Sequence, residues 1–91
     1  MAKYRKKPVV IDAFRPHLLK EEKAPEIPDW VMQALYDGTL KQGPGGTGFI
    51  VVTLEGAMLG LADDWLIRGV KGELYPCKPD IFAATYEPVE E

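Results

Sequence analysis

Gly43, Gly45 and Gly48 stand in the spacing G-x-G-x-x-G, a pattern that can wrap the phosphates of a dinucleotide. That chemistry needs a strand before the glycines and a helix after them, because the helix N-terminus holds the pyrophosphate. Here the order is reversed, and no Lys-Ser or Lys-Thr follows to complete a P-loop. Residues 41–48 are therefore read as a flexible connecting loop. Cys77 and His17 are the single cysteine and the single histidine of the chain. They could act as nucleophile and base, with Lys78 and a helix start beyond it lowering the thiol pKa. Against this, His17 lies in a loop with no motif around it, and a lone cysteine is more often a small packed side chain. A structural zinc site takes four Cys or His ligands, which one chain of this composition lacks. Asp63 and Asp64 form a carboxylate pair. Neighbours on a strand point to opposite faces, so the pair is read as a bend in which Asp bonds to nearby backbone N–H groups.

One further cluster carries binding chemistry: Trp65, Arg68, Lys71, Tyr75 and Lys78, all within the last hairpin and its exit. Aromatic and cationic groups together suit an anionic or planar partner. The competing reading places Trp65 and Tyr75 in the core and leaves the charges solvated. No catalytic set, metal site or cofactor motif emerges from these residues.

The elements that must position them are short. Pro8–Phe14 (PVVIDAF) reads as a first strand, with proline at its start, where a missing N–H is tolerated. Residues 15–27 form a polar loop interrupted by Pro16 and Pro25. Pro28–Asp37 reads as a helix that opens on Pro28 and Asp29, presents Trp30, Val31, Ala34 and Leu35 on one face, and stops at Gly38. Phe49–Leu54 is the plainest strand, reversed at Glu55-Gly56 in an expected type I′ turn and followed by a partner at Ala57–Leu61. Trp65–Arg68 and Glu73–Cys77 make a second hairpin about Gly69–Gly72. Pro79–Ala84 could form one or two helical turns, and Thr85–Val89 is expected as a final edge strand. Together these predict an α+β fold: a small antiparallel sheet of about five strands with one short helix packed on a face.

With 91 residues, 46% of them hydrophobic and 27% charged, the chain fits a single ordinary globular domain over 1–91. A net charge of −3 argues against a dedicated nucleic-acid binder. A basic arm at 1–7 (Lys3, Arg5, Lys6, Lys7) is balanced by Glu87, Glu90 and Glu91 at the other end. Such an arm can bind phosphate, although a solvated, edge-protecting role is the plainer reading. One cysteine allows no intrachain disulfide. No stretch is long and apolar enough to span a membrane, and Val9–Phe14 is too short for a signal-peptide core. A cytoplasmic location is expected.

The opening KYRKKPVVIDAF, the central TLEGAM and the closing WLIRGVKGELYPCKPDIFAATYEPV resemble short phage and prophage proteins, and the closing block is also similar to the PGDYG-type domain. Where that family has Pro-Gly-Asp and an aromatic, this chain has Leu61-Ala62-Asp63-Asp64-Trp65, so Asp64 and Trp65 align and the Pro-Gly does not. The resemblance implies a phage or prophage origin, in a bacterial host cytoplasm, and carries no established reaction. It implies a non-enzymatic accessory protein that binds a host protein, for example to inhibit a bacterial defence protein. A second reading is a small-ligand binder that sequesters an anionic metabolite or nucleotide signal through Arg68, Lys71 or Lys78. A third is a small enzyme centred on Cys77 or Asp64. Self-association as a homo-oligomer is a further option, since exposed sheet edges can pair.

Overall fold

The computed structural model describes residues 2–4, 9–16 and 26–89. The expectations for Arg5, Lys6, Lys7, Pro8, His17, Glu90 and Glu91 lie outside these residues. The chain is α+β, in the order β1 (Asp12–Phe14), α1 (Asp29–Asp37), β2 (Leu40–Gln42), a 3₁₀ turn (Pro44–Gly46), β3 (Phe49–Thr53), β4 (Gly56–Gly60), β5 (Trp65–Arg68), β6 (Leu74–Cys77) and α2 (Pro79–Thr85). The strands form two antiparallel sheets of three, not a single sheet of about five. Sheet 1 has the order β1-β5-β6 and sheet 2 the order β2-β3-β4. Among the described residues there are two α-helices rather than one.

Sheet 2 is a meander of neighbours in sequence. Its hairpin turns on Leu54 and Glu55, because Thr53 pairs with Gly56. The expected type I′ turn is absent: it needs positive φ at both central residues, and no described residue other than glycine has one. Gly56, with φ 128, instead comes just after the turn. Thr53 locks it, its hydroxyl donating to the Gly56 carbonyl (2.7 Å) and accepting from the Glu55 N–H (3.2 Å). Gly60 matters for packing. It lies opposite Phe49, and a Cβ there would fall 2.2 Å from the Phe49 ring.

Sheet 1 joins distant segments. β1 pairs only over Asp12–Phe14, shorter than the strand expected from Pro8, because β5 offers just Leu66–Arg68 opposite it. Leu66 and Phe14 face a core shared with Val31 and Ala34 of α1 and with Leu40, Phe49 and Val51 of sheet 2. The other face of sheet 1 carries Ala13, Trp65, Ile67, Tyr75 and Cys77, by the strand alternation and the register. There α2 supplies Phe82, whose ring stacks on Trp65 at 4.0 Å between centroids and 10° between planes. Ile67 is fully buried on that side.

α1 begins where Pro28 offers its carbonyl to the N–H groups of Val31 and Met32, and it ends at Gly38 with φ 85. Val31 and Ala34 are buried, whereas Leu35, expected on the same face, is 38% exposed. The expected edge strand at Thr85–Val89 does not form. Thr85 closes α2, the Tyr86 N–H donates to the Phe82 carbonyl at 2.9 Å, and Glu87–Val89 have no regular structure.

Candidate functional site

The five residues of the binding cluster do not share a surface. Trp65 and Tyr75 lie on the α2 side of sheet 1, and Arg68, three residues after Trp65, points to the opposite face. Trp65 is held between rings and charge, with Phe82 stacked on it and the Arg15 guanidinium 5.2 Å from its centroid. The Tyr75 hydroxyl lies 3.4 Å from that of Tyr86. Burial first, then the Tyr86 hydroxyl, pushes the Tyr75 phenol up to about 12. Lys71 sits exposed in the Gly69–Gly72 turn, where its backbone N–H donates to Glu73 Oε2 at 3.0 Å. Lys78 is exposed and precedes α2, its carbonyl accepting from the Phe82 N–H.

Arg68 is committed to Asp12. Its Nη2 and Nε both reach Asp12 Oδ2, at 2.6 and 3.0 Å, and its guanidinium lies 5.4 Å from the centre of the Trp30 ring. Beside it runs an open groove of about 670 Å³ between α1, β3 and the β5–β6 turn. Asp29, Asp37 and Glu73 line that groove with Arg68 and Trp30. An anion entering would meet three carboxylates and a guanidinium already paired, so the groove is electrostatically suited to a cation. The small-anion reading finds no site at Arg68.

The other candidates are structural. Asp64 is 5% exposed, and its Oδ2 accepts the Leu61 N–H at 2.9 Å while its own N–H donates to the Leu61 carbonyl. This is the backbone-bonding bend expected from the Asp63-Asp64 pair. Asp63 is exposed and offers its carbonyl to Arg15. The Cys77 thiol is pushed up from its ordinary value, by burial first and then by the Asp64 and Asp80 carboxylates. That is opposite to the lowering expected from Lys78, because burial first and the two carboxylates after it disfavour the thiolate. Among the described residues no group of three or more His, Cys, Asp or Glu is placed to hold a metal.

The glycine loop is a built turn rather than a flexible link. Gly43 N–H donates to the Gly48 carbonyl, Gly46 N–H to Gly43 and Thr47 N–H to Pro44. Gly45, Gly46 and Gly48 all have positive φ. The N–H groups of Gly43, Gly46 and Thr47 are thus committed to carbonyls of the same loop and are not free to cradle a phosphate.

An unexpected apolar surface is the outer face of sheet 2. Phe49 and Val51 point into the core, so Ile50 and Val52 point out, beside Lys41 on β2 and Ala57 and Leu59 on β4. Val52 is 41% and Leu59 56% exposed, and at the hairpin tip Leu54 is 107% exposed. Among the strand residues described here, Lys41 is the one charge on this face. The sequence held the signal: FIVVT is apolar at every position up to its last, and a strand covered on one side only would alternate with polar residues. Among the described residues no helix is long and apolar enough to cross a membrane. No family model, no curated protein and no solved structure matches the chain.

Proposed function

We propose that the protein acts by binding a protein partner rather than by catalysis, and that the outer face of sheet 2 is the surface it uses. The observation that supports this reading is the run of Ile50, Val52, Ala57 and Leu59, an apolar face with a single cation, Lys41, on a chain of net charge −3. Apolar surface gathered on one face marks an interaction site more often than chance exposure does. The partner is a protein presenting an apolar patch with a carboxylate opposite Lys41. Read with the resemblance to phage and prophage proteins, the partner is a bacterial host component, such as a defence protein, and the chain is a small accessory factor working in the host cytoplasm.

The test uses the full chain and a Val52→Glu variant, which charges the face without touching the core side of β3. Wild-type protein should retain a specific host protein that the variant loses, and the purified host protein should rebind wild type only. Equal capture by both, or no binding when the purified components are mixed, would remove the assignment.

A further inference from the structure

The two sheets meet along a seam. β4 is an outer strand of sheet 2 and β6 an outer strand of sheet 1, and they lie side by side. The open groove beside Arg68 runs into this seam. A second hollow of about 530 Å³ lies between the β3–β4 hairpin and β6, and Thr53, Glu73 and Leu74 line both. The two therefore form one trough, which starts along α1 and ends at the Leu54-Glu55 turn.

Its walls carry charge of one sign. On α1, Asp29, Gln33 and Asp37 stand at i, i+4 and i+8, one stripe along the groove. Two turns separate the two carboxylates, a rise of about 12 Å. Glu73 stands where the hollows join, and Glu55 at the hairpin end. The one cation lining either hollow is Arg68, which Asp12 already holds. That is the one ion pair among the described residues, so the four lining carboxylates have no basic side chain of their own. Thr39, through its hydroxyl first and its N–H second, holds the Asp37 carboxyl below its ordinary value, so charge persists there when the medium turns mildly acid. Between the carboxylates the lining is apolar and aromatic, with Trp30, Ala34, Leu74, Met58 and Tyr75.

We propose that this trough takes an extended, basic segment of another protein, with its Lys or Arg side chains set against Asp29, Asp37, Glu73 and Glu55 and its apolar ones against Leu74 and Met58. Charge complementarity chooses the sign of the occupant. Shape chooses its kind. The carboxylates are too spread to converge on one metal ion, and a trough at least two helical turns long is more than one small amine fills. An extended strand advances about 3.3 Å per residue and turns successive side chains to opposite sides. About four residues of it span the two α1 carboxylates, with cations on one side and apolar groups on the other. Trp30 and Tyr75 add ring surface on which a guanidinium or ammonium can rest. The site differs in charge from the outer face of sheet 2, whose one charge is Lys41, and its partner has the opposite sign.

An NMR titration of the full chain with a capped hexapeptide of alternating Lys and Val tests this. At low salt the peptide should shift the Trp30 indole N–H and the amides of Gln33, Thr53 and Glu73, and leave those of Ile67 and Cys77 unmoved. Asp29→Asn, Asp37→Asn and Glu73→Gln remove charge with little change of shape. Each should keep a wild-type far-UV spectrum and weaken binding about threefold, and the three together more than about tenfold. Salt at about 1 M should abolish binding, and a peptide of alternating Glu and Val should not bind. Spermidine matches the probe in charge but has no apolar side chains, and it should bind more weakly. No shift at the trough residues with millimolar peptide would overturn the proposal, as would undiminished binding by the folded variants. Spermidine binding as tightly as the peptide would also overturn it, because the trough would then collect cations without seating a chain.

Discussion

β5 and β3 are the central strands of their sheets, and their side chains meet different surroundings. In β5 the adjacent residues Leu66 and Ile67 are both fully buried, one in the core shared with α1 and sheet 2, the other on the face where Phe82 of α2 stacks on Trp65. In β3 Val51 is fully buried and its neighbour Val52 is 41% exposed. Both strands are apolar in sequence, so composition does not separate them. The difference lies in the cover each sheet receives from the rest of the chain. Sheet 1 is succeeded at once by a helix that folds back with Phe82 on Trp65, whereas no described element lies over the outside of sheet 2. A sheet built from two-sided apolar strands needs two covers, and the described residues supply one of them.

Substitutions can break or sharpen that contrast. Leu66→Ala and Ile67→Ala should each cost about 2–5 kcal/mol in urea unfolding, the range for emptying a packed site. An Ile67→Ala cost near zero would mean that α2 is not a true second layer. Asp64→Ala removes the acceptor of the Leu61 N–H at the entrance to β5 and should cost about 1–3 kcal/mol, with Asp64→Asn recovering part of it. Phe82→Ala removes the ring stacked on Trp65 and should cost about 1 kcal/mol. Val52→Thr, on the uncovered face, should change stability by less than about 0.5 kcal/mol; a larger loss would show that this face is covered in solution.

The α2 side also has a pH signature. Tyr75 is raised from 10 to about 12, so the folded state holds its phenolic proton more tightly than the unfolded chain does. The contribution to stability is complete below pH 10 and is lost as the pH rises toward 12. Absorbance titration should show one late-ionising tyrosine, and Tyr86→Phe, which removes the hydroxyl partner, should bring it down.

Much of the local structure was legible in the sequence, and most of the long-range structure was not. Trp65–Arg68 forms as read, α1 starts one residue later than read, and Gly38 ends it, because alternation, proline and glycine act over a few residues. The division into two sheets was hidden, since nothing near Asp12 announces that its partner is Arg68, at a separation of 56 residues. β2 was absorbed into a glycine loop because three residues hold too little pattern to read. The binding cluster is divided between two faces for a simpler reason. Trp65 and Arg68 are an odd number of residues apart on one strand and so face opposite ways; parity alone would have split them. The apolar outer face is legible in FIVVT, whose uniform apolar run leaves no polar side to turn to solvent.

The pairing of β1 with β5 fixes an order of events during synthesis. The meander of sheet 2 needs only short reversals and is complete once the ribosome has released Gly60. Sheet 1 cannot close until Arg68 emerges, and closing it fastens Asp12 to a residue 56 positions later, the slow kind of contact. Until then the inward side of the meander, with Phe49 and Val51, has α1 but lacks Phe14 and Leu66 of sheet 1 as cover. The nascent protein therefore depends on the Trp65–Cys77 hairpin arriving promptly, and a stall before Trp65 would leave sheet 1 unbuilt and the molecule prone to aggregation.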